Sequence, residues 1–385
     1  MTTTIDNEQK TLNVPNLRFP EFEGEWEEST IGKQFELYSG NTPTRINKEL
    51  FNGTINWISS GELKEHYIYS TKERISQEAA NNLKLLSVGT FVIAIYGLEA
   101  EGVRGTGSIT QEPSTISQAC MAFTPKGEIT NEFLYSWYKK HGNVIGVKYA
   151  QGTKQQNLSY DILEKFKISY PNVMEQDKLN LFFSLIDKRI STQNKIIEKL
   201  QSLIKGIAQH WIKNITSRSI YVKLGDICQI TTGKLDANAQ VDNGIYPFFT
   251  CAEQPFKIDS FAFDTEALLI SGNGANLGYI NYYNGKFNAY QRTYVLDVFS
   301  ENIQYIKWVL KVLLPKRIAI EKSSSNTPYI LLSTLSDLML PIPSKENQYH
   351  IAELMQSLER KLSSQITLNG SYNILKQYLL RQMFI

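Results

Sequence analysis

An internal repeat constrains the fold of this chain of 385 residues more than any other feature. Four pairs of segments align along the chain: 29–40 with 222–233, 56–60 with 247–251, 131–140 with 302–311, and 151–171 with 323–343. The first pair places Gly32 over Gly225 and Gly40 over Gly233. After the last pair the offset stays at 172 residues to the end of the chain. A repeat of this length indicates duplicated domains rather than a solenoid.

Each repeat consists of a globular part followed by a helical tail. Apolar runs that end in glycine, such as "TFVIAIYG" and "ALLISGNG", predict strands, and "NEFLYSWYKKHG" predicts a helix. The predicted fold class is therefore α+β, with two tandem mixed α/β domains and two long helices. The expected boundaries are a polar tail over 1–13, a first domain over 14–171, a central helix over 172–214, a second domain over 215–343 and a C-terminal helix over 344–385.

The two tails have apolar residues at steps of three and four, which is typical of a heptad seam. The predicted seam consists of Ile186, Ile190, Gln193, Ile197, Leu200, Ile204, Ile207 and Trp211 in the first tail, and of Leu358, Leu362, Gln365, Tyr372 and Leu379 in the second. Because isolated helices are marginal, we expect the tails to pair as an antiparallel coiled coil. That pairing would relate the halves by a pseudo-twofold axis and hold the two domains at a fixed separation.

A polar residue interrupts both seams at the same repeat position, Gln193 in the first and Gln365 in the second. A buried polar residue at a seam position costs stability but fixes register and partner choice. The same residues would also fit a solvated edge of the helix pair, and the sequence leaves both interpretations open.

The composition excludes several classes of function. The net charge of +2 is too low for a freestanding, non-specific nucleic-acid binder, so any DNA binding has to be local or shared with a partner. Cys120, Cys228 and Cys251 lie far apart and predict neither a disulfide framework nor a metal site. The longest apolar run, Leu85 to Leu98, is shorter than the roughly 18 residues that span a bilayer. We expect a cytoplasmic protein with no membrane association.

No catalytic residue is predicted. The chain has no G-x-x-x-x-G-K-S/T phosphate loop and no Asn-Pro-Pro-aromatic loop of an amino-methyltransferase, so we expect no cofactor. The stretch "EALLISGNGANLGYI" (266–280) resembles a dinucleotide-binding turn. Such a turn requires a helix after the glycines, whereas "YINYYNGKFNAY" alternates like a strand. We interpret it as a loop at a strand end.

Several segments resemble the specificity (S) subunits of type I restriction–modification systems. They are "VPNLRFPEFEGEWEESTIGKQF" (14–35), "ISQACMAFTPKG" (116–127), "GTKQQNLSYDILEKFKISYP" (152–171) and "LISGNGANLGYI" (269–280). The resemblance covers nearly the whole chain, and the duplicated layout is more specific than any single motif. One departure is that the first of these segments has no counterpart before the second domain, which begins with "SRSIYVKLGDI".

The resemblance implies a non-catalytic subunit with two target recognition domains. Each would read one half of a split, asymmetric sequence in double-stranded DNA. The paired helices would set the gap between the halves and dock two methyltransferase (M) subunits, and restriction (R) subunits would complete the nuclease. S-adenosylmethionine and ATP would then be bound by those partners.

Polar loops in both domains supply the amides, hydroxyls and cations that contact bases and phosphates. The candidates are Ser39, Asn41, Thr42, Arg45, Arg104, Tyr149, Gln151, Thr153, Lys154 and Gln155 in the first domain, and Thr231, Thr232, Lys234, Asn273, Asn276, Tyr290, Gln291, Arg292, Lys322, Ser324 and Asn326 in the second. Ordinary surface loops contain the same residue types, so for each single residue both interpretations stay open.

Two alternative functions remain. A coiled-coil adaptor that binds protein partners would share the helices but would leave the polar loops without a role. A nucleotide-dependent enzyme would use the loop from Gly272 to Gly278.

Overall fold

The computed structural model describes residues 12–100, 102–152, 156–215, 219–321 and 329–385. The chain divides into two compact units. Unit 1 consists of Met1–Gln193 and Leu368–Ile385, and unit 2 consists of Asn194–Thr367. Each unit therefore contains a globular domain together with a part of each long helix.

Unit 1 is a mixed α/β domain. Its strands are β1 (Glu27–Thr30), β2 (Phe35–Ser39), β3 (Ile55–Ile58), β4 (Tyr67–Ile68), β5 (Arg74–Ile75), β6 (Phe91–Ala94), β7 (Gly107–Thr110), β8 (Ser114–Ile116), β9 (Cys120–Pro125) and β10 (Lys167–Tyr170). Its short helices are α1 (Ile31–Gln34), α2 (Gln77–Asn81) and α4 (Tyr160–Leu163), and α3 spans Asn131–Tyr149. The sheet orders are β2-β9-β6-β7-β4 and β5-β3-β8, and β1 pairs with β10.

Apolar strand residues build the core of unit 1 beneath α3. All four residues of β6 are buried, because β6 lies between β9 and β7 and is covered by α3. The ring of Phe91 lies 5.9 Å from the rings of Tyr135 and Tyr138 on α3. The helix begins where the Thr130 hydroxyl accepts a hydrogen bond of 3.2 Å from the N–H of Phe133, as an N-cap residue does.

Unit 2 has a similar order of elements, without counterparts of β4 and α2. Its strands are β11 (Ile220–Lys223), β12 (Gln229–Thr232), β13 (Tyr246–Phe249), β14 (Phe256–Ile258), β15 (Phe263–Ser271), β16 (Ile280–Ala289), β17 (Thr293–Asp297) and β18 (Met339–Ile342). Helix α6 spans Ile303–Glu321 and packs on β15 and β16, and α7 spans Leu332–Ser336. The main sheet has the order β12-β17-β15-β16-β13-β14, and β11 pairs with β18.

The two domains differ in how one strand path is divided. In unit 2, β16 continues without a break and pairs with both β15 and β13. In unit 1 the corresponding path is split into β7 and β8 by residues 111–113, which end in Pro113. Because proline has no N–H to donate to a sheet ladder, it ends regular pairing at this point. The single six-stranded sheet of unit 2 therefore corresponds to separate sheets in unit 1.

Two aligned glycines hold equivalent places. A Cβ atom on Gly40 would lie 2.0 Å from the carbonyl oxygen of Ile116, and one on Gly233 would lie 1.9 Å from that of Ala289. Both distances are far inside van der Waals contact, so only glycine fits. The alignment of these positions in the sequence therefore reflects the same backbone crossing in both domains.

Two long helices follow the domains: α5 spans Val173–Ile215 and α8 spans Lys345–Met383. Within unit 1 they run antiparallel, since Phe183 of α5 packs against Phe384 just after α8, with ring centroids 5.6 Å apart, while Arg189 donates to the Tyr372 hydroxyl at 3.1 Å. Phe384 is 2% exposed and lies 5.1 Å from the ring of Phe133, so α8 ends in the core of unit 1.

A buried glutamine joins each domain to its long helix. Gln176 donates to the carbonyl of Pro171 at 2.9 Å and accepts a hydrogen bond of 3.0 Å from the N–H of the residue that caps α3. Gln348, at the repeat-equivalent position, donates to the carbonyl of Pro343 at 3.0 Å and accepts from the residue before α6 at 3.0 Å. The side chain therefore ties the start of one helix to the start of another in both units.

The loop after β15 does not have the geometry of a dinucleotide site. It leads from β15 into β16, strand to strand, with Gly274 and Gly278 at φ of +79° and +81°. The helix that a nucleotide-dependent enzyme would need after this loop is replaced by a strand, so that alternative is wrong for the Gly272–Gly278 loop. Within the described residues, no helix is long and apolar enough to cross a membrane.

Candidate nucleic-acid interface

In unit 2 the predicted DNA-contacting residues meet at one end of the six-stranded sheet, which we call the unit 2 edge (residues 231–235, 250–252, 271–278, 290–293 and 329–332). Backbone hydrogen bonds join these segments. Gly233 donates to the Thr293 carbonyl at 3.3 Å and Gly272 donates to the Arg292 carbonyl at 2.8 Å. The structure therefore brings together residues that are distant in sequence.

A surface cavity with a volume of about 220 Å³ lies at the unit 2 edge. Its lining residues are Thr232, Gly272, Gln291, Arg292, Tyr294, Tyr329, Ile330, Leu331 and Leu332. Three of them were predicted from the sequence, and Thr232, Gln291 and Arg292 are exposed. Within the described residues, the Arg292 guanidinium has no hydrogen bond or ion pair.

Asn273 and Asn276 hold their loop in shape. The Asn276 amide donates to the Cys251 carbonyl at 3.0 Å, and the Cys251 thiol donates to the Asn273 amide oxygen at 3.0 Å. Both amides are half-buried, so base reading by either stays a prediction, and the structure adds a role in positioning the loop. Thr231 and Lys234 are exposed, at and after the end of β12. Tyr290 is half-buried and bridges to Leu235.

Unit 1 has an equivalent end, the unit 1 edge (residues 39–42, 59–60, 95–98, 117–120 and 156–158). Gly40 donates to the Cys120 carbonyl at 3.4 Å, and Leu158 donates to the Ile95 carbonyl at 2.9 Å. The predicted residues Ser39, Asn41 and Thr42 lie here, at and after the end of β2.

Arg45 is held by an acidic partner. Its guanidinium donates two hydrogen bonds to the Glu73 carboxylate, at 2.8 and 2.9 Å, and lies 4.6 Å from the centre of the Phe51 ring. The hydrogen bond raises the pKa of Arg45 and lowers the pKa of Glu73. To read a base, Arg45 would have to leave Glu73, so in this structure it fixes the loop after β2 to β5.

The remaining described candidates of unit 1 lie around residues 149–158. The Arg104 guanidinium donates to the Gln156 amide oxygen, and its aliphatic part packs on Gly146 of α3. Tyr149 packs edge-on against Phe166, with ring centroids 4.9 Å apart. Gln151 and Asn157 exchange two backbone hydrogen bonds of 2.9 Å. Six candidates lie outside the described residues: Thr153, Lys154, Gln155, Lys322, Ser324 and Asn326.

Gln118 is a residue of the unit 1 edge that the sequence interpretation missed. It is exposed in the turn before β9, and its amide oxygen accepts a hydrogen bond from the Thr42 hydroxyl. Gln291 occupies the same turn before β17 in unit 2. Extending the repeat alignment through "ISQACMAF" and "AYQRTYVL" gives this equivalence and was the available signal.

The predicted seam residues of α5 and α8 are all buried or half-buried. In unit 2, Ile204 and Ala208 of α5 form one apolar cluster with Met355 of α8, and Ile207, Trp211, Leu358 and Leu362 pack against it. Gln193 is 2% exposed, which excludes the solvated-edge interpretation at that position. Gln365 is half-buried, and a register-setting role for the two glutamines stays a prediction.

A charged cluster joins the unit 1 domain to α5. The imidazole of His66 is stacked between the rings of Tyr67 and Tyr135, with centroid distances of 4.0 and 3.9 Å. Its Nε2 lies 2.9 Å from Glu132 Oε2 and its Nδ1 lies 3.4 Å from Asp187 Oδ2. Burial lowers the pKa of His66, but the two carboxylates raise it by more, so the pKa lies above its ordinary value of 6.5.

An acid at the repeat-equivalent position makes the matching junction in unit 2. Asp187 of α5 also contacts Lys376 of α8. Its counterpart Glu359 of α8 accepts hydrogen bonds from Lys307 at 2.7 Å and Lys311 at 3.1 Å, both on α6. The unit 1 edge and the unit 2 edge therefore each belong to a domain that an acidic side chain anchors to the long helices.

Comparison with known proteins identifies the class. The family described as "Type I restriction modification DNA specificity domain" matches residues 23–202 and 219–369, so both repeats are covered. The chain belongs to this family. The match confirms the resemblance found in the sequence, together with the predicted DNA-recognition role of a non-catalytic subunit.

The chain is similar to several specificity subunits. It is 43% identical over 143 residues to the type I restriction enzyme EcoDI specificity subunit of Escherichia coli, an alignment that spans 37% of this chain and only 32% of that protein. It is 23% identical over 384 residues to the MjaIX specificity subunit of Methanocaldococcus jannaschii, covering 88% of each chain.

Solved structures share the fold. The S subunit of a type I restriction-modification system from M. genitalium superposes with a TM-score of 0.66 at 19% identity, covering 97% of this chain and 99% of that chain. A chain from a study of complex assembly and conformational transition of the type I R-M system gives a TM-score of 0.58 at 16% identity, covering 93% and 97%. The predicted α+β class with tandem mixed domains is confirmed.

Proposed function

We propose that the chain reads a bipartite target in double-stranded DNA, unit 1 reading one half and unit 2 the other, while α5 and α8 set the gap between them. The observation that carries this proposal is the pair of equivalent edges. The same backbone crossings build both, at Gly40 and Gly233, yet the exposed side chains differ. Two edges of common architecture and different chemistry suit two unlike half-sites.

The chemistry of the edges supports DNA as the ligand. The unit 2 edge offers exposed hydroxyl, amide and cationic groups in Thr232, Gln291 and Arg292, which are the donors that meet phosphates and base edges. The net charge of +2 is low for a DNA-binding protein acting alone. Much of the phosphate contact would therefore come from partners.

We propose two methyltransferase subunits and restriction subunits as those partners. The relatives are specificity subunits of type I restriction enzymes, and one structural neighbour comes from work on assembly of such a system. Both long helices leave large apolar side chains exposed, among them Leu185 and Leu203 of α5 and Ile374 of α8, which would suit docking.

We also propose that the chain contains two target recognition domains, 14–171 and 215–343, and that a spacer helix follows each of them. S-adenosylmethionine and ATP would be bound by the partner subunits, and the chain would act in the cytoplasm, where the DNA that it reads is present.

Co-expression with the cognate methyltransferase subunits, followed by sequencing of methylated adenines, tests the proposal. We expect a stable complex with two methyltransferase subunits and a methylated sequence in two unlike halves separated by a fixed gap. A single contiguous sequence would contradict it. Binding of NAD or S-adenosylmethionine to the purified chain alone at micromolar affinity would contradict it as well.

A further inference from the structure

The turns that precede β9 and β17 are equivalent in backbone geometry. The N–H of Cys120 donates to the Ser117 carbonyl at 3.0 Å, and the N–H of Thr293 donates to the Tyr290 carbonyl at 2.8 Å. Each pair closes a four-residue turn of the type defined by a bond between its first and fourth residues. Both turns therefore present their two central side chains from the same backbone frame.

The neighbours of the turns are equivalent too. Ala119 accepts a backbone hydrogen bond from Ile95 at 2.9 Å, and Arg292 accepts one from Gly272 at 2.8 Å. Each turn also donates from its first residue to the end of a neighbouring strand, in both cases at 2.9 Å. These contacts make Gln118 structurally equivalent to Gln291, and Ala119 structurally equivalent to Arg292.

The two domains have the same residue type at the first central position of the turn and different residue types at the second. The first position is an exposed glutamine in both units, Gln118 and Gln291. The second is a half-buried Ala119 in unit 1 and an exposed Arg292 in unit 2. A side chain common to both edges does not explain a difference between two half-sites, whereas one that is present at a single edge can.

Arg292 differs from the other two candidate arginines in its contacts. Arg45 is engaged by Glu73 and Arg104 by Gln156, whereas the Arg292 guanidinium has no hydrogen bond or ion pair with any residue that the structure describes. The guanidinium fork pairs with the O6 and N7 acceptors of guanine in the major groove. From these observations we infer that Arg292 determines specificity by reading a guanine in the half-site of unit 2, while Gln118 and Gln291 position DNA at both edges without reading it.

This inference rests on the proposed function, in which each unit reads one half-site. The test compares Arg292→Ala, Arg292→Lys and Gln291→Ala in the assembled methyltransferase complex, with affinities measured for the target and for every single-base variant of it. Because Arg292 and Gln291 are exposed, the three variants should fold, and thermal melting of each complex checks this.

For Arg292→Ala we expect discrimination at one base pair of one half-site to fall about 5- to 150-fold, with the other half and the gap unchanged. Arg292→Lys keeps the charge but loses the fork, so discrimination at the same base pair should relax while affinity for sequences with another base there stays nearly unchanged. Gln291→Ala should weaken binding to all sequences alike. Equal weakening of all sequences by Arg292→Ala would overturn the inference and leave the proposed function standing.

Ala119→Arg distinguishes a failure of the inference about Arg292 from a failure of the proposed function. It places a guanidinium at the equivalent position of unit 1 and should change base preference in the half-site that Arg292→Ala leaves unchanged. If both variants altered the same half-site, the assignment of one half to each unit would be wrong, whatever Arg292 contacts.

Discussion

Gln176 and Gln348 show how a single polar side chain fixes the junction of two helices. Both side chains are almost fully buried. Each donates a hydrogen bond to the carbonyl of the proline that ends its domain, and each accepts one from the N–H of the residue just before α3 or α6. A buried backbone group that loses its partner costs free energy, since water cannot replace the bond.

Gln348→Leu should therefore destabilise the chain. The change leaves the Pro343 carbonyl and the N–H of Asn302 without partners, so we expect a loss of about 2–4 kcal/mol in the free energy of unfolding. Urea unfolding of the purified chain measures it. The control is Gln201→Leu at an exposed position of α5, which should change stability by less than about 0.5 kcal/mol. Equal effects of the two substitutions would show that the bonds of Gln348 contribute nothing.

Residue-level contacts were predictable only where the repeat exposes them. The alignment of Gly40 with Gly233 identified two equivalent positions, and the structure shows that each is a backbone crossing where no side chain fits. The pairing of Arg45 with Glu73 could not be predicted, because the two residues are brought together by tertiary structure. Polar Gln176 also gave no sign of burial, since glutamine is usually a surface residue.

At the scale of elements, α5 and α8 also make ion pairs with the globular domains. Each carries an acid that anchors a domain, Asp187 in unit 1 and Glu359 in unit 2. The partners differ, since Asp187 meets the titratable His66 and Glu359 meets Lys307. Unit 1 therefore has a junction that contains a histidine, whose pKa is raised above its ordinary value of 6.5.

His66 should make the stability of unit 1 depend on pH. Because its pKa is raised in the folded chain, its contribution is fully present below the unfolded value of about 6.5 and is lost as the pH rises through the folded pKa. We expect the melting temperature of His66→Gln to approach that of the wild type as the pH rises above about 6.5, the ordinary pKa of histidine.

Neighbouring groups limit the pH window. Burial lowers the pKa of Lys139 to about 8, so deprotonation of Lys139 adds stability with the opposite slope at higher pH. Burial would raise the pKa of Asp187, but the nearby imidazole of His66 and the charge of Lys376 outweigh it and lower this pKa, so that group titrates only in acid. His350→Gln, at an exposed site on α8, is the control, and an identical pH profile for it and His66→Gln would contradict the account.

The elements themselves were largely predictable. Proline-free tails with apolar steps of three and four predicted the long helices, and apolar runs ending in glycine predicted β6 and β15. The division of one strand path into β7 and β8 was not predicted. Pro113 marks the break, but only the structure shows that the unit 2 path continues unbroken through β16.

At the scale of the whole molecule, the duplicated layout fits the split target that we propose. Each compact unit contains one domain and part of both long helices, with the unit boundaries after Gln193 in α5 and after Thr367 in α8. A chain that carries two unlike edges on one pair of helices can read two half-sites without forming a dimer of identical subunits.

The gap between the half-sites tests the central claim most directly. Seven residues of heptad sequence inserted after Gln193 and a matching seven after Thr367 preserve the seam and lengthen both helices by about 10 Å. Methylated-adenine sequencing of the assembled complex should then show both half-sites unchanged and the gap longer by about three base pairs, at about 3.4 Å per pair. An unchanged gap in a folded, active complex would contradict the claim that α5 and α8 set the spacing.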